Sequence, residues 1–170
     1  MKLIEAMKAV KNNKIKIADL QQKIAQHCAN LNFETQLYGT NTPEQIKSWI
    51  QSCIDLSQDN VKLLTAITKT NLATAVTINL GGKAVTKNIS EWIWRRREYA
   101  TLDLQTWSRL TDKNLKEGIT QSSTGEKMEI KIIRHYDPVI RDQMIAMYKN
   151  EPHEIDSILE VINAVTDLLE

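Results

Sequence analysis

The feature that most constrains the fold is a run of positions near the start of the chain that recur at alternating steps of four and three. These positions are Leu3, Met7, Val10, Lys14, Ile17, Gln21, Ile24, Cys28 and Leu31. Such spacing places side chains along one side of an α-helix, because a helix turns once in about 3.6 residues. It predicts a long amphipathic first helix. Lys14 and Gln21 interrupt the stripe, and polar residues at such positions commonly fix the register or the partner of a helix pair.

A second long helix is predicted to follow a connection at residues 32–41, where the periodicity stops. Thr42-Pro43-Glu44-Gln45 has the pattern of a helix start in which Thr42 caps the helix and Pro43 occupies its first position. One apolar face then continues to about Thr68 through Ile46, Trp49, Ile50, Cys53, Ile54, Val61, Leu64 and Ile67. Two such helices joined by a short loop predict an antiparallel hairpin.

The cysteines, Cys28 and Cys53, fall on the two apolar stripes, so we predict that both are buried free thiols. Their distances from the expected turn differ by several residues. That mismatch of roughly 10 Å along the helices argues against a disulfide between them.

A small β component is predicted after the helical hairpin. Thr74, Val76, Ile78 and Leu80 alternate with other residues and lead into Gly81-Gly82, which is typical of a two-residue β-hairpin turn. A helix should start at Thr86 or Asn88, where Asn88 and Glu91 form a capping box, and end near Lys116 before Gly118. Residues 127–136 predict a further strand that pairs with the first hairpin.

Two helices are predicted at the end of the chain. Asp137-Pro138 starts one that reaches about Lys149, and Glu151-Pro152 starts or kinks the last. The expected fold is mainly α, an antiparallel long-helix hairpin or bundle with a small β-hairpin or short antiparallel sheet. We predict one domain, with a helical hairpin at 1–69, β elements flanking a central helix at 70–136 and C-terminal helices at 137–170.

Charge and motifs narrow the function classes. Twenty-two basic and 21 acidic side chains leave a formal charge of +1, so the chain lacks the overall basic character typical of a dedicated nucleic-acid binder. The three histidines stand far apart, and no phosphate-binding, nucleophile or metal-ligand motif occurs. We expect a cytoplasmic, unprocessed protein that is not an enzyme and binds no metal or cofactor.

Residues 91–99 form the most distinctive segment, because aromatic and basic side chains alternate there. We predict an interaction site that also includes a later tryptophan and comprises Trp92, Trp94, Arg95, Arg96, Arg97 and Trp107. In a regular helix Glu91 would pair with Arg95, and Trp92 would lie one turn from Arg96. Packing within or between chains is the favoured role; nucleic acid and an anionic surface stay open as alternatives.

Long apolar helix faces also favour association between copies of the chain, since closed homo-oligomers are common. The leading hypothesis is a non-enzymatic helical assembly protein, a structural component of a phage particle or another multisubunit complex, with other structural proteins as further partners. The alternatives are a nucleic-acid-contacting accessory protein that uses the arginine triplet and a membrane-active, pore-forming-like protein.

Short motifs in a fixed order span nearly the whole chain: Lys-Thr-Asn-Leu-Ala-Thr at 69–74 and residues 2–6, 18–24, 67–68, 82–86 and 155–169. In this order of features the chain resembles the septicolysin-like family of small bacterial and phage-encoded proteins. The chain departs from the family at residues 128–136, where the family is expected to have an Arg-Tyr-Ser stretch, and the arginine triplet is also particular to this chain. The resemblance implies a helical, oligomer-forming protein without an assigned reaction.

Overall fold

The computed structural model describes residues 1–35 and 37–169 and confirms a mainly α fold with two small antiparallel sheets. In chain order the elements are α1 (Leu3–His27), a 3₁₀ turn (Gly39–Asn41), α2 (Thr42–Ala73), β1 (Ala75–Leu80), β2 (Lys83–Asn88), α3 (Ile89–Trp94), a π-helical segment (Arg95–Tyr99), α4 (Ala100–Ser108), β3 (Gly118–Gln121), β4 (Lys127–Ile130) and α5 (Pro138–Val165).

The chain forms two compact units. The first contains Met1–Ala75 and the segment from Leu159 onward, and the second contains Val76–Ile158. The single-domain hypothesis, with its segments 1–69, 70–136 and 137–170, stays a prediction.

In the first unit, α1 and α2 pack together as the predicted helical hairpin. The side of α1 that is buried differs from the prediction by one residue at every second position. The buried and half-buried side chains along this side are Leu3, Ala6, Val10, Asn13, Ile17, Leu20, Ile24 and His27, and Ile4 and Ala9 beside them are half-buried as well. From Leu3, the buried positions are spaced three and then four residues apart, whereas the predicted positions were spaced four and then three. Both spacings keep side chains on one side of a helix. Met7, Lys14 and Gln21 are therefore exposed.

The polar pair that does lie in the helix interface is Asn13 and Asn60. The Asn13 side-chain amide donates to Asn60 Oδ1 at 3.1 Å, and Asn60 is buried. The interruption expected at Lys14 thus occurs one residue earlier, where a short uncharged side chain can find a partner on the facing helix.

Two details near the turn of the hairpin also differ from the predictions. Thr42 is the first residue of α2 rather than its cap, and its hydroxyl donates to the Gly39 carbonyl at 2.9 Å. Both cysteines are free thiols, but Cys28 is exposed and Cys53 is half-buried. Cys28 lies one residue beyond the buried side of α1, which explains its exposure.

In the first unit, residues near the start of the chain pair with residues that follow α5. Lys2 and Asp167 form an antiparallel bridge, and the N–H of Leu3 donates to the Thr166 carbonyl at 2.9 Å. The N–H of Leu169 donates to the buried hydroxyl of Thr70 at 2.9 Å. These bonds fix residues 166–169 against the start of α1 and the end of α2.

The β1–β2 hairpin of the second unit confirms the prediction from Gly81-Gly82. Both glycines have positive φ, 55° and 79°, as a two-residue β-hairpin turn requires. The side chain of Asn88 accepts from the Glu91 N–H at 2.8 Å and the Glu91 carboxylate accepts from the Asn88 N–H at 2.8 Å, so the predicted capping box is also confirmed.

The strand predicted at residues 127–136 is present as β4, but it is shorter and has a different partner. β4 pairs with β3 in a second sheet, with Thr120 opposite Met128, instead of joining β1–β2. The helix ends at Ser108, not near Lys116. The N–H groups of Arg109 and Leu110 bond to carbonyls only three residues back, and the chain then takes positive φ at Lys113 and Asn114. Gly118 consequently begins a strand.

The C-terminal helix α5 is continuous, whereas two helices were predicted. Asp137 Oδ1 accepts from the Val139 N–H at 2.8 Å and caps it as expected. Pro152 lies inside the helix and supplies no N–H to the preceding turn. Packing on either side of Pro152 offsets the missing hydrogen bond, since Glu151 and Ile155 are both buried.

Candidate functional site

The core of the second unit is built around Trp92, whose side chain is fully buried. Its indole Nε1 donates to the Val76 carbonyl of β1 at 3.0 Å. The capped start of α3 fixes where Trp92 points, and this bond ties the helix to the β-hairpin. Trp92 is therefore a structural residue of the predicted site, with its polar atom satisfied inside the core.

The arginine triplet lies in a π-helical segment, where the Ala100 N–H donates to the Arg95 carbonyl five residues back. One extra residue per turn changes the directions of the side chains from those of a regular helix. The two pairs predicted from regular helix geometry are replaced by other contacts. Glu91 binds the backbone of Asn88 in the capping box, Arg95 binds Glu151 of α5, and Arg96 pairs with Asp156.

Arg95 is held by two carboxylates. Its Nε and Nη2 donate to the two oxygens of Glu151, the latter at 2.9 Å, and Nη1 donates to Asp103. The guanidinium also lies 5.3 Å from the centre of the Tyr148 ring. The hydrogen bond with Glu151 raises the pKa of Arg95 above its ordinary value, against the opposing effect of burial. Glu151 itself is only 2% exposed, so it depends on this pairing.

The other residues of the predicted site divide between packing and exposure. Arg96 forms an ion pair with Asp156, and Trp107 is half-buried. Trp94 is 56% exposed. Arg97 is exposed, and within residues 1–35 and 37–169 it takes part in none of the ion pairs. The six residues thus do not form one surface.

A cavity of about 480 Å³ adjoins the Arg95–Glu151 pair, and we call it the hairpin cavity. Its walls come from the β1–β2 hairpin, α3 and α5: Leu80, Gly81, Lys83, Val85, Lys87, Trp92, Arg95, Met144, Met147, Tyr148 and Glu151. Alternation along β2 places Lys83, Val85 and Lys87 on the same side of the strand. This site has no local signature in the sequence, because α5 contributes residues more than fifty positions away from the hairpin.

A shallower cleft shares one wall with the hairpin cavity. Its lining consists of Lys87, Glu91, Trp94, Arg95 and Tyr99. Trp94 and Tyr99 are both more than half exposed. Lys87 and Arg95 therefore stand between an apolar cavity and an open aromatic surface.

A different kind of surface occurs in the first unit, on α2. Five large apolar side chains of this helix are 45–64% exposed, and we call them the α2 stripe: Ile50, Ile54, Val61, Leu64 and Leu72. They lie within about 40° of one line along the helix at ~3.6 residues per turn. The face toward α1 is centred elsewhere, on Trp49, Asn60 and Ile67. The apolar face predicted for α2 is thus divided, and one part stays exposed.

One border of the α2 stripe is formed by the uncharged residues Gln51, Gln58 and Thr65, and Lys47 and Lys69 lie at its two ends. Asp55, Asp59 and Lys62 lie further around the helix. Depletion of charge around an apolar centre is typical of protein interfaces.

An aromatic cluster closes the loop end of the helical hairpin and was also missed from the sequence. The rings of His27, Tyr38 and Trp49 pack with centroid separations of 5.5–5.9 Å. Edge-on contacts at these separations are favourable. Because His27 ends α1 and Trp49 lies on α2, the cluster fixes the spacing of the two helices.

In the described part of the chain, His, Cys, Asp and Glu side chains nowhere gather in groups of three or more that could hold a metal ion. Among the helices formed by these same residues, none has both the length and the apolar character that crossing a membrane requires.

The fold has a solved counterpart. A crystal structure of a functionally unknown conserved protein from Corynebacterium diphtheriae is similar over 99% of this chain and 99% of its own, with a TM-score of 0.59 and 15% sequence identity. At this identity the similarity concerns the fold alone. No family model matches the chain, and no curated protein matches it either. The resemblance to the septicolysin-like family stays a hypothesis.

Proposed function

We propose that this protein is a non-enzymatic helical interaction protein that associates with copies of itself through the α2 stripe. The observation that supports the proposal is the exposure of Ile50, Ile54, Val61, Leu64 and Leu72 along one line of a single helix. Scattered exposed apolar residues need no explanation, but five along one line of a helix do, with Ser57 and Thr68 between them. At ~1.5 Å per residue, positions 50–72 extend over about 33 Å.

A second copy of the chain fits this surface because the spacing reads the same in both directions. Positions 50, 54, 57, 61, 64 and 68 follow steps of four, three, four, three and four. Two α2 helices packed antiparallel about a twofold axis would place Ile54 opposite Leu64 of the other copy, and Val61 near Ser57. A twofold interface requires such self-complementarity. The alternation of four and three also suits side-chain interlocking between helices.

Val61 is the position at which to test the proposal. It is the most exposed member of the α2 stripe, so Val61→Glu should leave the isolated chain folded. In the dimer the new carboxylate would be buried near the axis without a partner, which is costly. Ser48→Glu adds the same charge on the opposite side of α2 and serves as the matched control.

Light scattering and sedimentation at concentrations from low to high micromolar provide the measurement. We expect the wild type and Ser48→Glu to associate and Val61→Glu to remain monomeric with an unchanged circular dichroism spectrum. A wild type that stays monomeric at high micromolar concentration, or a Val61→Glu protein that associates like the wild type, would refute the proposal.

Assembly into a phage particle or another multisubunit complex is one setting for such a chain. Nucleic-acid contact ranks below self-association, because Arg95 and Arg96 already have carboxylate partners and offer less free charge to phosphate. Membrane activity ranks lowest.

A further inference from the structure

We propose that the hairpin cavity binds an amphipathic carboxylate, a small molecule with one anionic group and an apolar body. The proposal concerns the second unit and is independent of self-association through α2. It rests on the size of the cavity, the composition of its walls and the cations at its rim. A volume of about 480 Å³ lies within the usual range for small-molecule sites.

The walls suit an apolar body. Leu80 and Val85 contribute rigid apolar surface, and Met144 and Met147 contribute flexible thioethers that adapt to irregular shapes. Trp92 adjoins the cavity but is itself fully buried. Gly81 brings the backbone close to this wall, since a Cβ added there would come within 2.7 Å of Met147 Sδ. Such a surface favours an aliphatic or aromatic chain over a sugar or another polar molecule.

The charge of the lining favours an anion. Lys83, Lys87 and Arg95 are cationic and Glu151 is the one acidic residue in the lining, so the surplus is two positive charges. Asp103, which binds Arg95, and Glu91, which lines the adjoining cleft with Lys87, both lie outside the lining. A carboxylate therefore matches the surplus inside the cavity, whereas a cation would be repelled.

The two lysines are the groups available to the ligand. Arg95 already donates to Glu151 and Asp103, so it acts as a positioning residue that fixes the wall. Lys83 and Lys87 lie on the cavity side of β2, and among the described residues neither takes part in any of the ion pairs. Lys87 is half-buried beside Arg95, where a carboxylate would be less screened by water.

Titration calorimetry of the full chain with decanoate tests the proposal, with decanol as the neutral analogue and decyltrimethylammonium as the cationic one. We expect decanoate to bind at least about tenfold more tightly than decanol, since a hydrogen bond to a charged group contributes about as much as a tenfold change in affinity. The ammonium should not bind. Methyl NMR signals of Met144 and Met147 should shift on saturation with decanoate.

Variants assign the anionic group to its partners. Lys83→Gln with Lys87→Gln should weaken decanoate binding about tenfold or more and leave decanol binding unchanged. Lys8→Gln, an exposed lysine of the first unit, is the control and should bind as the wild type does. Val61→Glu should also bind normally, which separates this test from that of self-association.

Three results would overturn the proposal: equal affinity for decanoate and decanol, unshifted methionine methyl signals at saturation, or normal binding by the double lysine variant. A lipid headgroup is the other source of an amphipathic anion. Cosedimentation with phosphatidylglycerol vesicles in the absence of decanoate binding would assign the lysines to a membrane surface and also refute the proposal.

Discussion

The carboxylate of Glu151 accepts hydrogen bonds from both Nε and Nη2 of Arg95, which lies 56 residues earlier in the chain. This two-point pairing combines fork geometry with burial of the carboxylate. It joins the π-helical segment to α5 and forms one wall of the hairpin cavity.

Removal of Glu151 should therefore destabilise the protein. Glu151→Ala would leave Arg95 partly buried with Asp103 as its remaining partner, and we expect a loss of about 2–3 kcal/mol, below the full effect of breaking a buried pair. Urea unfolding followed by circular dichroism measures it. Arg95→Met combined with Glu151→Leu should recover most of the stability, because no unpaired charge remains. A loss under about 0.5 kcal/mol for Glu151→Ala would place the pair among surface ion pairs.

The Asn13–Asn60 hydrogen bond should fix how α1 and α2 align. Asn13→Ala leaves the buried Asn60 amide without its partner and should cost about 1–3 kcal/mol in unfolding free energy. Replacing both residues by Leu should restore or increase stability while weakening the preference for one register. Hydrogen exchange of α1 tests that second effect: faster exchange in a more stable double variant is expected, and unchanged exchange would contradict a role in register.

Gly81 and Gly82 should respond differently to alanine. Both have positive φ, so both variants carry backbone strain. Only at Gly81 would the new Cβ also meet a side chain, Met147 Sδ at 2.7 Å, while the corresponding space at Gly82 is open. We expect Gly81→Ala to be less stable than Gly82→Ala by about 1 kcal/mol. Thermal unfolding provides the comparison, and equal losses would show that Met147 moves aside freely.

The stability contributed by Asp112 should depend on pH. The Arg134 guanidinium donates to both oxygens of Asp112, at 2.7 and 2.6 Å, and holds the pKa of this carboxyl below its usual value. A lowered folded-state pKa stabilises the protein at pH values above the unfolded carboxyl pKa of about 3.9, and that contribution is lost as the pH falls through the folded-state pKa.

Carboxyl NMR titration measures this pKa directly. Arg134→Gln should raise the Asp112 pKa toward its ordinary value, whereas Arg109→Gln, which changes a nearby exposed arginine, should leave it in place. An Asp112 pKa that is the same in the wild type and in Arg134→Gln would show that the ion pair does not persist in solution.

Local patterns predicted much of the secondary structure. Gly81-Gly82 determined a hairpin, and Asn88 with Glu91 determined a helix start, because each motif satisfies its own backbone within a few residues. Local patterns did not predict the partner of β4 or the end of the helix at Ser108. The partner of a strand is the strand that packs beside it in space, which local sequence does not specify. The segment that forms β3 was predicted to be the end of a helix and a loop.

The sequence by itself determined that this chain forms two long amphipathic helices, a β-hairpin and a capped helix that carries Trp92 and Trp94. Periodicity and turn chemistry act over a few residues, so they can be recognised without the tertiary structure. Only the tertiary structure decided that Asn13 rather than Lys14 enters the helix interface, that Ile50 and Leu64 remain exposed, and that Arg95 meets Glu151 beside a cavity. The reason is physical: a 3.6-residue repeat tolerates either a three- or a four-residue step, and the partner of a charge is fixed by packing between distant segments.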